Sequence, residues 1–196
     1  VSRTQLASGG WDYSGHFDAK GRESKLYRRD VDGKLLPAPS ASGREAGWHN
    51  WKRQDKKNYS TYDDDVSQAA TRLLVRVDHA LGGKDAEIKE AADFALHTII
   101  MTQYPAGGWS ANFDDAPAAP PPESMYPVKA GNYPADWPRK WPKDFSGCYV
   151  LNDNTHATLV ATLLLAWPLR GDPKYLDAAK RGGGFLVTAQ LPDPPP

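Results

Sequence analysis

Two short acidic turns, Thr61-Tyr62-Asp63-Asp64-Asp65 and Leu151-Asn152-Asp153-Asn154, are dense in hard oxygen donors. Calcium takes about six to eight such oxygens from carboxylates, amide carbonyls and water. Asp63 and Asp153 are therefore candidate metal ligands, with Asp64, Asn152 and Asn154 as secondary candidates. Neither turn has the EF-hand spacing, and each alone also reads as ordinary helix capping, since Asp and Asn favour helix starts. The five histidines, His16, His49, His79, His97 and His156, form no His-x-x-x-His pair, which argues against zinc. No Gly-x-Ser-x-Gly, Walker A or dinucleotide fingerprint occurs.

The elements that must position these turns are helices. Val66, Ala69, Ala70, Leu73, Leu74, Val77 and Leu81 follow the helical period. Ser60 or Thr61 can cap that helix, and Gly82-Gly83 ends it. A second helix is predicted from about Ala86 to Gln103. A third is predicted from Asn154 to Trp167, stopped by Pro168. A fourth runs from Pro173 at its first position to about Gln190, with Gly182-Gly183-Gly184 weakening it unless close packing requires small residues.

The four helices read as two copies of one unit. Asp85, Ala91, Ala92, Gln103 and Pro105 recur 87 residues later as Asp172, Ala178, Ala179, Gln190 and Pro192. Leu73 and Leu74 recur 90 residues later as Leu163 and Leu164, and Asp63 recurs as Asp153 in that frame. Stacked helical hairpins close into toroids or solenoids. The expected fold is mostly all-α, an α/α toroid of repeated helical hairpins with long irregular loops. In a toroid, equivalent helix ends share one rim, so the two acidic turns should converge. Residues 1–59 read as an irregular extension packed on a core of residues 60–196, which is expected to be incomplete at its C-terminal end.

Composition narrows the classes. Lys and Arg number 24, and so do Asp and Glu, so the basic excess of a nucleic-acid binder is missing. No apolar run reaches the roughly 18 to 20 residues of a membrane helix. The single cysteine, Cys148, rules out an internal disulfide and reads as a buried thiol. Seven Trp and nine Tyr are many for 196 residues, and several lie in Gly/Pro-rich loops. Such rings either anchor loops or stack on sugars. Tyr104, Trp109 and Trp137 are the stacking candidates, and Lys129 and Arg139 are candidates for binding substrate carboxylates.

Four segments resemble the pectate lyases of polysaccharide lyase family ten. They are Ser60-Thr-Tyr-Asp-Asp-Asp-Val-Ser-Gln-Ala-Ala-Thr-Arg-Leu-Leu74, Gln103-Tyr-Pro-Ala-Gly-Gly-Trp109, Tyr149-Val-Leu-Asn-Asp-Asn154 and Phe185-Leu-Val-Thr-Ala-Gln-Leu-Pro-Asp-Pro194. The Gln-Tyr-Pro-x-Gly-Gly-Trp element is the most specific, and Gly9-Gly10-Trp11 matches more loosely. Ala106 stands where the family often has Asn.

The resemblance implies a secreted or periplasmic α/α toroid that cleaves polygalacturonate, or a related uronic-acid polymer, by calcium-dependent β-elimination. The family's calcium-binding aspartates fall, by motif, on Asp63 and Asp153. The family's base is an arginine, which the resemblance places past Pro196, so these residues alone are not expected to turn over substrate. Two alternatives stay open. One is a non-catalytic module binding polysaccharide or a partner protein. The other is a glycoside hydrolase on a similar toroid, with Asp63 and Asp153 as acid and base.

Overall fold

The computed structural model describes residues 1–38, 57–114, 149 and 151–189. Within them the chain is mostly helical. A short α1 (Ala19–Arg22) precedes four longer helices: α2 (Val66–Ala80), α3 (Ala86–Met101), α4 (Thr155–Arg170) and α5 (Pro173–Ala189). The sheet content is one antiparallel pair, β1 (Ser60–Thr61) with β2 (Asn112–Phe113), in which Ser60 faces Phe113 and Thr61 faces Asn112. Single turns of 3-10 helix cover Ser2–Thr4, Asp63–Asp65 and Asn152–Asn154.

Local chemistry accounts for most boundaries. Asp85 caps α3 by accepting from the Ile88 amide at 3.0 Å. Asp172 precedes Pro173, whose fixed φ and missing amide hydrogen suit the first helical position. Gly171 closes α4 in the left-handed region and donates to the Trp167 carbonyl at 2.9 Å.

Three boundaries correct the expectations. Ser60 and Thr61 form β1 instead of capping α2. The second helix ends at Met101, so Gln103 belongs to the following loop. Pro168 does not stop α4, which continues through it to Arg170. Proline deprives only the Leu164 carbonyl of its helical donor, and Leu164 is 45% exposed, so solvent can satisfy that group.

Helix α2 packs against α3 and α4, and α4 packs against α5. Contacts between α2 and α4 progress in parallel along both helices. Gln68 reaches Thr155 and Thr158, Arg72 reaches Thr158 and Thr162, and Asp78 pairs with Arg170. The N-termini of α2 and α4 therefore lie at the same end. Small residues allow the tight core: Ala91, Ala92 and Ala95 on α3, with Ala178, Ala179 and Gly182 on α5, are all buried.

The 87-residue spacing between α3 and α5 holds for that buried face. The 90-residue frame proposed for α2 and α4 does not. Buried positions Ser67, Gln68, Thr71, Leu74, Val75 and Asp78 recur 88 residues on as Thr155, His156, Leu159, Thr162, Leu163 and Ala166. Leu73 and Leu164 both face out, at 48% and 45% exposure. A helical stripe repeats every three to four residues, so an apolar pattern can be matched in neighbouring frames from sequence alone.

A second repeat lies in the loops. Gln5 donates through Nε2 to the carbonyls of Gly9 (2.9 Å) and Ala91 (3.0 Å). Gln103 does the same to Gly107 (3.0 Å) and Ala178 (2.9 Å). Leu6 N donates to Gly10 O and Tyr104 N to Gly108 O, both at 2.9 Å. Trp11 and Trp109 donate through Nε1 to the carbonyls of Val1 and Ile99. Gly9 and Gly107 sit at φ 102° and 98°, and a Cβ there would strike Thr98 Oγ1 or the Arg181 carbonyl. The first eleven residues thus reproduce the local geometry of residues 99–109, and Trp11 and Trp109 both enter the core.

Candidate metal centre

The acidic turns are shaped before their side chains meet. Asp64 and Asp65 hold φ 50° and 62°, and Asp153 and Asn154 hold φ 50° and 57°. Short polar residues tolerate this left-handed region better than most non-glycine residues, which accounts for the run of Asp and Asn. Corresponding backbones pair Asp63 with Asn152, Asp64 with Asp153, and Asp65 with Asn154, a frame of 89 residues. The expected equivalence of Asp63 and Asp153 is off by one.

Neighbouring elements hold the first turn. Tyr62 N donates to the Ala111 carbonyl at 2.7 Å, and its buried hydroxyl hydrogen-bonds Thr102 Oγ1 at 2.7 Å. The Asp63 amide donates to Thr61 Oγ1 at 3.0 Å. The Gln68 side-chain amide, on α2, donates to the Tyr62 carbonyl at 2.6 Å and to Thr158 Oγ1 at 3.0 Å, fastening the turn to α4. Arg72 pairs with Asp65 and donates to Thr162 Oγ1 at 3.0 Å. Asp65 is thereby turned toward an arginine.

These restraints bring the two turns into contact. One oxygen each from Asp63, Asp64 and Asp153 lies within 4.8 Å of the others. Asp63 is half-buried, and Asp64 and Asp153 are exposed. Burial raises the Asp63 pKa, and the carboxylates of Asp64 and Asp153 raise it further, against the lowering effect of a hydrogen bond from Tyr13. Asp63 Oδ1 is shielded from solvent and has no hydrogen-bond partner. Ligands of one calcium ion sit about 2.3 to 2.6 Å from it, hence up to about 5 Å from one another. The cluster fits that span, and the orphaned oxygen fits a ligand role.

The secondary candidates divide. Asp64 joins the cluster. Asn152 donates through Nδ2 to Asp153 Oδ2 and orients it. Asn154 stands at the start of α4 and makes no side-chain capping bond there.

Tyr104 and Trp109, expected to stack on sugar, are 3% and 1% exposed. Trp109 packs edge-on to His156 and against Gly182, and Tyr104 meets the Tyr149 ring at 5.1 Å. Their placement is that of core anchors, because Gly107 and Gly108 bring the loop backbone against α5 and Tyr149. Lys129, Trp137, Arg139 and Cys148 lie outside the described residues.

The residue that sequence reasoning missed is Tyr13. It is 60% exposed, and its hydroxyl lies near Asp63, Asp64 and Thr61. Partial burial of that hydroxyl, with the carboxylates of Asp63 and Asp64, pushes its pKa up to about 12. No spacing or motif marked it; the segment reaches the first acidic turn through Trp11, whose carbonyl accepts from Thr61 N at 2.8 Å. No protein-family model matches the chain, and no curated protein or solved structure matches it.

Proposed function

We propose that this chain carries the metal-binding part of a calcium-dependent lyase acting on polygalacturonate or a related uronic-acid polysaccharide. The reading includes an α/α toroid as the complete architecture, with the helical pairs as its units. A secreted or periplasmic setting fits a polymeric substrate. Among the described residues no helix is long and apolar enough to cross a membrane.

The observation that carries the reading is the convergence of Asp63, Asp64 and Asp153 from two turns far apart in sequence. Three clustered carboxylates repel one another unless a cation or protons neutralise them. Their side chains would hold calcium, with Asn152 orienting Asp153. When bound, calcium supplies a Lewis acid that stabilises negative charge on a substrate carboxylate. The chain's own residues fix the site: Gln68 fastens the first turn to α4, and Arg72 holds Asp65.

The proton-abstracting base is not assigned to a described arginine of this site. Arg72 is committed to Asp65, and Arg170 to Asp78 and Asp93. The hydrolase alternative, with Asp63 and Asp153 as acid and base, is separated from the lyase by its product: water addition leaves a saturated new chain end, whereas elimination leaves an unsaturated one. The non-catalytic binding module shares the calcium site and differs only in giving no product.

Calorimetric titration with calcium, then with oligogalacturonate in calcium, tests the site. Ultraviolet detection of an unsaturated product from polygalacturonate tests the reaction. A chain that binds neither calcium nor oligogalacturonate overturns the reading. Binding of both without product from the longest natural form of the protein favours the binding module.

A further inference from the structure

Tyr13 is an exposed tyrosine whose polar end faces the acidic turn. Its hydroxyl lies near Asp63, Asp64 and Thr61, while the side chain stays 60% exposed. The segment that delivers it is anchored at several points. Trp11 N donates to Ser67 Oγ at 2.9 Å, and Thr61 N donates to the Trp11 carbonyl at 2.8 Å. Tyr13 N donates to Asp12 Oδ1 at 2.8 Å, and Asp12 is ion-paired with Lys25. An exposed aromatic side chain is thus delivered to the edge of the carboxylate cluster by an anchored backbone.

A ligand meeting both features must carry an anionic group for a cation in the cluster and an apolar face for the ring. A neutral sugar offers only the face, and a simple carboxylate offers only the charge. A uronic-acid residue offers both in one pyranose, because its axial C–H groups lie on a ring that also bears the carboxylate. We propose that Tyr13 is a specificity-determining contact that stacks on a uronate ring whose carboxylate meets the cation held by Asp63, Asp64 and Asp153. This rests on reading the cluster as a calcium site.

The test uses the wild-type chain, Tyr13→Phe and Tyr13→Ala. Each is titrated calorimetrically with calcium alone, then in calcium with trigalacturonate and with the neutral galactose trimer. All three proteins should bind calcium, and the neutral trimer should bind at least about tenfold more weakly than trigalacturonate. Tyr13→Phe, which keeps the ring, should hold trigalacturonate within about threefold of wild type, whereas Tyr13→Ala should lose about tenfold. Circular dichroism checks that both variants fold. If Tyr13→Ala binds calcium and retains wild-type trigalacturonate affinity, the stacking role is overturned while the metal site stands. Equal loss in both variants also overturns it, since the hydroxyl and not the ring would then be responsible. If the wild type binds no calcium, the metal reading and this inference fall together.

Discussion

Asp64 and Asp153 hold one backbone conformation, with φ 50° in each and ψ 27° and 31°. Each begins a pair of left-handed residues that enters a long helix, and the turns meet with their carboxylates clustered. Asp153→Asn keeps a side chain that tolerates this region and removes one charge. Without calcium, the melting temperature of Asp153→Asn should equal or exceed that of wild type, because a repulsion is relieved. Calcium at a hundred times its Kd should stabilise wild type by about 2.7 kcal/mol. Asp153→Asn should lose most of that gain. Thermal melts with and without calcium check both halves, and a full calcium shift in the variant contradicts the site.

Gly182 differs from the two glycines that follow it. A Cβ at Gly182 would lie 2.7 Å from Val160 Cγ2 and 3.1 Å from the Trp109 ring. At Gly183 and Gly184 it would meet nothing within 4 Å. Gly182→Ala should destabilise by about 1 to 3 kcal/mol through overpacking. Gly183→Ala and Gly184→Ala should each stabilise by up to about 1 kcal/mol through helix propensity and reduced unfolded-state freedom. Urea denaturation of the three variants reads the difference, and equal effects at Gly182 and Gly183 would refute the packing argument.

The same contrast shows what the sequence could reveal. The helices, the Pro173 start and the Ala-rich faces rest on local chemistry, so spacing found them. The convergence of the acidic turns followed from assuming that repeated units share a rim. The buried places of Tyr104 and Trp109 did not follow, because they depend on partners distant in sequence: Tyr149 beside Tyr104, and Gly182 of α5 beside the Trp109 indole. The one-residue slip in pairing Asp63 with Asp153 has a related cause. Adjacent Asp residues can be aligned either way by type, and only the backbone distinguishes them. Tyr13 was missed because its partner Asp63 lies about fifty residues away in sequence, joined to it through β1.

Gln5 and Gln103 make matching pairs of bonds to a glycine carbonyl four residues on and to an alanine carbonyl of a core helix. Gln5→Met and Gln103→Met preserve length and apolar bulk but leave two buried carbonyls without those donors. Each should cost about 2 to 4 kcal/mol, because unmet buried acceptors cost more than the net value of a hydrogen bond. Gln103→Met should cost more of the two, since Gln103 Oε1 also accepts from Arg181 at 2.8 Å. Chemical denaturation measures both. A cost below about 1 kcal/mol at both sites would mean that the loops are not held by these amides.

His156 supplies the pH prediction. It is buried at the start of α4, and its Nε2 lies 2.9 Å from the Gly182 carbonyl. A carbonyl only accepts, so Nε2 carries the hydrogen. Nδ1 is buried without a partner, and the Trp109 and Phe185 rings lie beside the imidazole. Protonating Nδ1 would place a charge and an unmet donor among aromatic rings. Burial accordingly lowers the pKa from 6.5, offset in part by the bond to Gly182. The unfolded chain takes up this proton near 6.5, and the folded chain only at lower pH. The folded state then binds fewer protons in that window, so this contribution is complete above 6.5 and is lost as pH falls toward the folded value. Urea midpoints for wild type should therefore drop between about pH 7 and pH 5. His156→Gln removes the titration and should lower stability at pH 7, yet show a shallower fall on acidification. Parallel pH profiles for the two proteins would show that a different group sets the acid sensitivity.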